Sequence, residues 1–582
     1  MTTTEELTVT HGDSRAVSRT DSATATADAD PVTTEVIRYG LQAAADQMRL
    51  TLIRGAFSPV IYDVQDLAVT LYDDKLRLLA QGSAQPLFMG ALGYVLEAIL
   101  DRLGGADTLD EGDIVFSTYG YDLGSHQQDA AVIAPVFHEG ELVGYAVTKA
   151  HHLDIGAKDP YCTDTTDIHQ EGVIFPSVKL YRRGERQDDL YRTLLANSRL
   201  PTFLAGDLNA QIGAAQVGLK QLLRLIERFG LDTFRQAVER MFDHGEAVMR
   251  AFLETVPDGR YVANGIMDNN GVDTDEIPME VAAEIVGDRV IVDLTATAPE
   301  QRGPMNCPWP TSVAGARIAL MSFAVGGQAG DGDHFKGSLN EGHFRAIEVR
   351  TKPGTQFHPR PPAPIFMYAW PVFTLIDLLH KALSEALPDA LPAAGGGDCC
   401  FALWWGLYDD GTAWADAACH PIGMGASARG DSVNPLIHMA CSGVKSAPAE
   451  TTESRRPLVL EKFEFVPDSG GNGRFRGGPA VEYHYRTLRD CFMTLAWDRT
   501  RTPPWGIHGG GDALPNRCRV RHADGTVETY EKATGLALKA GSVVELRCGG
   551  GGGYGPPEER DPEAVRRDIE DGYVTEGALQ EA

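Results

Sequence analysis

Two apolar runs, residues 130–137 and 142–147, flank the polar break His138-Glu139-Gly140-Glu141. Strand-like runs on either side of a short Gly-containing break predict a β-hairpin. The loop before the first run carries His126 and Asp129. The second run leads into Lys149, Ala150, His151, His152 and Asp154. An antiparallel hairpin sets the entry of its first strand beside the exit of its second. The pattern therefore gathers two imidazoles and a carboxylate at one end, a mixed N/O donor set suited to Zn, Mn, Fe or Ni. On spacing alone, polar residues flanking a hairpin are more often just solvated. Here a His-His pair ends an apolar strand, and Asp, Gly and Ser crowd the opposing loop. Polar groups concentrated where strands end are the usual makings of a site.

The same reading extends along the chain. Val36, Ile37, Leu41, Ala44, Met48 and Leu52 recur at helical spacing and predict an amphipathic helix over 33–57, capped by Thr33 or Thr34. Asp63 and Asp66 precede a strand over 67–72, which turns at Asp73-Asp74-Lys75 into a second strand over 76–80. On spacing alone Asp66 reads as a turn residue. Residues 89–103 predict a helix ending at Gly104-Gly105. The polar stretch 158–172 has neither helical nor strand period, and polar loops of that length are often functional. It carries Cys162, His169 and Glu171; Cys162 reads as a spectator thiol, since no base can be assigned to it. Helical patterns over 204–229 and 231–256 meet at Gly230 as a helical hairpin. Strands follow over 261–265 and 279–294, the latter broken at Gly287-Asp288. Then come a buried helix over 314–324, a strand over 344–350 and a helix within 367–387. Beyond residue 395, Gly clusters at 470–471, 477–478, 509–511 and 549–553 read as tight turns between short strands, and a short helix closes the chain within 561–579. The fold class is α+β, a large mixed multi-layer protein. Its expected regions are a disordered lead-in (1–30), an α/β region with the metal-site hairpin (31–200), a helical hairpin with mixed α/β structure (201–395), and a β-rich, Gly-punctuated region (396–582).

Composition narrows the class without choosing a reaction. A length of 582 residues exceeds one ordinary domain. The formal charge of -29, from 52 basic and 81 acidic residues, argues against nucleic acid and anionic membrane surfaces as partners, and fits a soluble cytoplasmic protein. The nine Cys form no Cys-x-x-Cys pair and read as reduced thiols. The Thr-, Ala-, Asp- and Ser-rich start lacks the apolar stretch of a signal peptide. No apolar run reaches the length of about 18 residues that a membrane span needs. No Gly-x-x-x-x-Gly-Lys-Ser/Thr loop is present, so no ATP site of a recognised type is predicted.

Taken together, the segments DVQDLAVTLYD, GSHQQD, AHHLDIG, HQEGVIFPSVKLYRRG, LANSRLPTFLAGDLNAQIGA, NEGHFRAIEVRTKPGTQFHPRPPAP, DSGGNGRFRGGPAVEYHYR and PPWGIHGGG, in this order, resemble the hydantoinase B/oxoprolinase superfamily from Pro31 to the C-terminus. That superfamily includes B-type subunits of ATP-dependent hydantoinases, 5-oxoprolinases and lactamases, and large subunits of acetone and acetophenone carboxylases. The resemblance implies that ATP phosphorylates a substrate amide or enolate oxygen in a partner, the hydantoinase A-type subunit of a hetero-oligomer. It also implies a divalent metal (Zn, Mn or Fe) on His126, Asp129 and His151, with Asp66 matching a further acidic position. His152 or Asp154 would orient a ligand imidazole, and His152, His169 and Glu171 are the candidate catalytic groups. The segment AKDPYCTDTTD departs from the hydantoinase pattern and leans toward the ketone-carboxylase branch. The expected function is hydrolysis of a cyclic amide, a small carbonyl substrate. Ketone carboxylation is the alternative, and a non-catalytic scaffold or a metal-independent binding module are the readings from other classes.

Overall fold

The computed structural model describes residues 29–324, 339–433 and 435–577. The expected lead-in over 1–30 lies outside them except for its last two residues. One of those is Asp30, whose carboxylate accepts from the N–H groups of Val32 (3.0 Å) and Thr33 (3.1 Å) and so caps the helix Pro31–Gly55. The expected threonine cap is displaced because Pro31 takes the first helical position. A missing N–H costs nothing there, so the cap falls on the residue before it.

The predicted hairpin lies at the middle of a seven-stranded antiparallel sheet. Its strands are β1 (Leu67–Asp73), β2 (Leu78–Gln81), β3 (Ile114–Ser117), β4 (Asp129–His138), β5 (Glu141–His151), β6 (Val178–Arg182) and β7 (Glu185–Arg186). They are ordered β2-β1-β5-β4-β3-β6-β7. Glu139 and Gly140 turn the hairpin with φ of 51° and 84°, the left-handed pair that suits a two-residue loop between twisted strands. The register pairs Asp129 directly with His151 at the open end. Alternation then decides which face each side chain takes. Ala130, Val132 and Ala134 pack with Leu41, Leu208 and Leu222 of the helices Pro31–Gly55 and Pro201–Phe229. Ala131, Ile133, Tyr145 and Val147 face the opposite core, with Leu320 and Leu378. Asp129 and His151 share the parity of this second set, so they point away from the two long helices.

The helices Pro201–Phe229 and Leu231–Leu253 meet at Gly230, as the pattern predicted, and the first lays most of its length against the helix Pro31–Gly55 and the hairpin. The strands Gly259–Met267, Ile277–Val286, Arg289–Asp293 and Ile347–Arg350 form a second sheet. Buried helices follow at Trp309–Ala324 and Ala369–Leu383, and a four-stranded and a five-stranded sheet occupy the C-terminal part. The core on the hairpin's second face draws on Val60, Leu320 and Leu403 alike, so it is shared by segments far apart in the chain. All nine cysteines are buried and free, and no described helix is long and apolar enough to cross a membrane.

One glycine cluster is a tight turn, at Gly509 (φ 94°), where the Gly510 N–H donates to Ile507 O (2.9 Å), but the others are not the tight turns the sequence suggested. They are chain segments lying side by side. Gly471 N–H donates to Gly551 O (2.8 Å), Gly551 N–H to Gly478 O (2.9 Å), Gly553 N–H to Gly511 O (2.9 Å) and Gly423 N–H to Gly549 O (2.8 Å). A Cβ on Gly551 would stand 1.8 Å from the Met424 carbonyl oxygen, and one on Gly477 would stand 1.7 Å from Gly551 O. Backbones this close leave no room for any side chain. The requirement is contact distance, not an unusual φ.

One buried histidine of the C-terminal part gives a pH-dependent stability. His420 Nδ1 donates to Cys400 O (2.7 Å) and Nε2 accepts from the Tyr485 hydroxyl (3.1 Å), which fixes the neutral form. Burial pushes its pKa down to about 4. The unfolded chain therefore takes up this proton first, so the contribution is complete above the unfolded value of about 6.5 and is lost as pH falls toward 4. Unfolding free energies of wild type and His420→Gln, measured across that window, should converge as pH falls. The expected slope is at most about 1.4 kcal/mol per pH unit, near 3 kcal/mol in total. A difference independent of pH would contradict the assignment.

Candidate metal centre

His126, Asp129 and His151 meet in the structure. His126 leaves the turn that follows the short helix Gly120–Leu123, and its carbonyl accepts the Asp129 N–H (3.2 Å), which holds the two residues on one side of the chain. Asp129 and His151 are cross-strand partners. The result is a triangle of donor atoms. His126 Nε2 lies 3.0 Å from Asp129 Oδ1 and 3.0 Å from His151 Nδ1, and His151 Nδ1 lies 3.0 Å from the same carboxylate oxygen. All three side chains are at least nine-tenths buried.

The proton inventory fits a cation. His126 Nδ1 faces the Phe366 carbonyl at 2.8 Å. A carbonyl only accepts, so Nδ1 carries the hydrogen and the neutral ring presents the Nε2 lone pair to the triangle. Asp129 Oδ2 accepts from the Tyr368 hydroxyl (2.7 Å), leaving Oδ1 for the triangle. Burial alone would raise the Asp129 carboxyl, yet positive charge or N–H groups on the two imidazoles beside it would hold it well below the usual range, so the carboxylate calls for positive charge at this point. His151 Nε2 is buried without a protein partner, so the protein does not set this ring's tautomer; with the proton on Nε2, two lone pairs and a carboxylate converge in a buried space and repel one another unless a positive charge sits among them. Three donors at right angles, each about 2.1 Å from one ion, stand about 3.0 Å apart. The set of two histidines and one carboxylate on one face is the type that leaves other coordination positions open.

Asp66 stands at the rim. Its Oδ2 is 4.0 Å from His151 Nδ1, Gln85 donates to its Oδ1 (2.6 Å), and its carbonyl accepts the His151 N–H (3.1 Å). Burial pushes its carboxyl up to about 7 against the pull of His151. The remaining predicted residues lie elsewhere. His152 takes the opposite parity, faces the long helices, and pairs Nε2 with Gln211 Oε1 (2.8 Å). Asp154 is spent on Arg199 and Ser198, and so does not orient a ligand imidazole. His169 is exposed on the turn Ile168–Gln170, while the triangle is buried. Glu171 is buried, and its Oε1 accepts from Thr165 Oγ1 (2.8 Å) and from the backbone N–H groups of Ile365 (2.8 Å) and Phe366 (2.9 Å). Cys162 is buried, and burial pushes its thiol well up, as suits a spectator.

Several groups escaped the sequence reading. The segment 364–368 supplies the Phe366 carbonyl and the Tyr368 hydroxyl. Tyr161 lays its ring near His126, His151, Phe366 and Phe401. Lys149 shares the parity of His151, donates to Leu123 O (2.9 Å) and lies 4.4 Å above the Phe88 ring. Burial pushes the Lys149 ammonium down to about 8. A lysine inside an apolar strand, two residues from His151, was the one local signal for any of them.

Comparison with known proteins adds the kinship. Over 561 residues the chain is 31% identical to the beta subunit of the caprolactamase of Pseudomonas jessenii, with 94% of each chain covered. It is 30% identical to the B-type subunit of a putative D-/L-hydantoinase of Pseudomonas sp. (strain NS671), covering 95% of this chain and 94% of the relative. The crystal structure of the ATP-dependent caprolactamase from Pseudomonas jessenii superposes with a TM-score of 0.85 at 30% identity, covering 94% of both chains. A nucleotide-free acetone carboxylase structure shares the fold, with a TM-score of 0.86 at 19% identity, covering 95% of this chain and 79% of that one. Residues 30–557 match the family described as hydantoinase B/oxoprolinase, and with near full-length likeness in both sequence and fold, the chain belongs to that family.

Proposed function

We propose that this chain is the B-type subunit of an ATP-dependent hydrolase of cyclic amides, working with an A-type subunit that binds and uses the ATP. The observation that carries the reading is the buried His126–Asp129–His151 triangle, whose donors all face inward and whose His126 tautomer is set by the Phe366 carbonyl. Likeness to the corresponding subunits of a caprolactamase and a hydantoinase supports the choice of a cyclic amide. The absence of a phosphate-binding loop from the sequence supports an ATP site in the partner.

In this reading His126, Asp129 and His151, with Asp66 beside them, hold one divalent cation of the Zn, Mn or Fe type. A bound cation of this kind polarises a carbonyl or lowers the pKa of a water molecule. The chain's own residues do the rest. The Phe366 carbonyl holds the proton on His126 Nδ1 and keeps Nε2 free. The Tyr368 hydroxyl neutralises part of the Asp129 charge and fixes its rotamer. Tyr161 and Phe366 line the centre with rings, with Phe401 packed behind Tyr161, and a site walled by rings strengthens the charge interactions inside.

The carboxylase reading rested on the departure of the 158–172 segment from the hydantoinase pattern. In the structure that segment supplies Tyr161, Thr165 and Glu171 around the centre, so its sequence reflects packing as much as reaction type. The deciding experiment reconstitutes the complex and follows ATP consumption with a lactam, hydantoin, 5-oxoproline, acetone and acetophenone, each with and without bicarbonate. Bicarbonate-independent ring opening is expected. Turnover of a ketone that requires bicarbonate would replace the hydrolase reading, and ATP turnover by this chain alone would remove the need for the partner.

A further inference from the structure

The orientation of two of the three donors depends on one backbone segment more than 230 residues away in sequence. Phe366 O takes the His126 proton (2.8 Å, separation 240) and Tyr368 OH reaches Asp129 (2.7 Å, separation 239). Neighbouring carbonyls of the same segment are tied down along its length. Pro362 O accepts from the Ile168 N–H (3.0 Å), Ala363 O from the Tyr121 hydroxyl (2.8 Å) and Pro364 O from Asn306 Nδ2 (2.8 Å). The N–H groups next in line, those of Ile365 and Phe366, both go to Glu171 Oε1 (2.8 and 2.9 Å), which also accepts from Thr165 Oγ1 (2.8 Å).

Glu171 is fully buried, and no Lys or Arg pairs with it among the described residues. Its second oxygen, Oε2, is buried without a protein partner. Burial pushes its carboxyl up to about 8, against the three N–H and O–H donors that meet Oε1. Those three donors are aimed at one oxygen, and two of them belong to the segment that aims the metal-site groups. Phe366 is the link: its N–H is held by Glu171 and its carbonyl holds His126.

We infer that Glu171 is a positioning residue of the metal centre, a carboxyl clamp that fixes the 364–368 segment so that the Phe366 carbonyl and the Tyr368 hydroxyl face His126 and Asp129. It transfers no proton. Its accepting oxygen is filled by three donors, and its effect on the centre travels through the backbone. Outer groups that orient a metal-bound histidine typically change metal affinity 10- to 100-fold when lost, at the order-of-magnitude level. This inference rests on the metal reading above.

Two substitutions separate a clamp from an acid or base. Glu171→Gln keeps an oxygen where the three donors converge but cannot cycle a proton. Glu171→Asp keeps the carboxyl group but is one methylene too short to reach the segment. The full chain, stripped of metal, is titrated with Mn2+ and with Zn2+, and thermal unfolding is recorded for each variant. Turnover is measured after reconstitution with the ATP-using subunit. The clamp predicts that Glu171→Gln binds metal within about threefold of wild type and stays active. It predicts that Glu171→Asp weakens metal binding by about 10- to 100-fold. Loss of turnover in Glu171→Gln with metal affinity unchanged would instead make Glu171 a proton-transfer group and overturn the clamp. Wild-type metal affinity in a folded Glu171→Asp would overturn it as well. Should Glu171→Asp not fold, Glu171→Gln alone decides between the two roles. A wild-type chain that takes up neither ion would sink the metal reading, and the clamp with it, whereas a wild type that binds while Glu171→Asp binds equally well sinks the clamp alone.

Discussion

Replacing His126 with alanine is expected to empty the metal centre and silence the reconstituted enzyme while leaving the fold intact. The side chain contributes one of three donors, each 3.0 Å from the other two. Losing a direct donor should cost more than losing an orienting group, so affinity should fall by more than about 100-fold. The catalytic loss should be on the order of 1,000-fold, because a cation's electrostatic contribution to the transition state is several kcal/mol. The fold should survive, since His126 lies in the loop before β4, outside the strand ladders, and its removal relieves the crowding beside Asp129. The comparison that gives the result meaning is His169→Ala. His169 was a candidate acid/base group by its setting in a polar loop, but it is exposed on the turn Ile168–Gln170. Its replacement should change metal content and turnover by less than about twofold, as surface substitutions usually do. Equal damage from both substitutions would mean that the triangle has no special place in the reaction.

The second large effect is structural. Gly551→Ala should prevent stable folding or cost on the order of 4 kcal/mol or more, in the exceptional range for a single methyl group. Adding one methylene to a packed core usually costs about 1–3 kcal/mol, because neighbouring side chains can shift. Here the obstacle is backbone. The added carbon would lie 1.8 Å from Met424 O, and Gly551 already bonds to Gly471 and Gly478 on either side. Relief would require moving several hydrogen-bonded segments together. Gly213 is the internal contrast. It sits inside the helix Pro201–Phe229, and a Cβ there would meet nothing within 4 Å. Gly213→Ala should stabilise the protein by roughly 0.5–1 kcal/mol through helix propensity. Denaturant midpoints for the three proteins check both signs. A Gly551→Ala variant as stable as wild type would mean that the glycine segments are not packed as described.

How much of this was legible beforehand follows from the range of each interaction. The hairpin was readable because its apolar runs and its Gly-containing break are local. The α+β class and the helices meeting at Gly230 came through for the same reason. The pairing of Asp129 with His151 did not, because the turn alone would set Asp129 opposite Ala150, and a bulge at Val136 and Phe137 shifts the register by one residue. The clamp was not readable. Glu171 and Phe366 are separated by 195 residues, and no periodicity reports a carboxyl group meeting two N–H groups across that span. His169 and Glu171 looked alike in sequence, as polar groups in one loop, and burial is what separates them. The glycine clusters misled because glycine serves two purposes with one letter. It permits left-handed turns, and it permits close backbone contact, and only neighbours in space tell these apart. His152 was misplaced by one residue's worth of alternation: next to His151 in the chain, it faces the other side of the sheet.

In the proposed function, the buried triangle is a metal centre on which the chain's activity depends. The measurement that tests it most directly is elemental analysis of the purified chain, followed by stripping and stepwise return of metal with turnover recorded in the reconstituted complex. One Zn, Mn or Fe ion per chain is expected, with activity lost on stripping and restored in proportion to the ion returned. A stripped chain that contains no metal and turns over at the full rate with its partner would contradict the account.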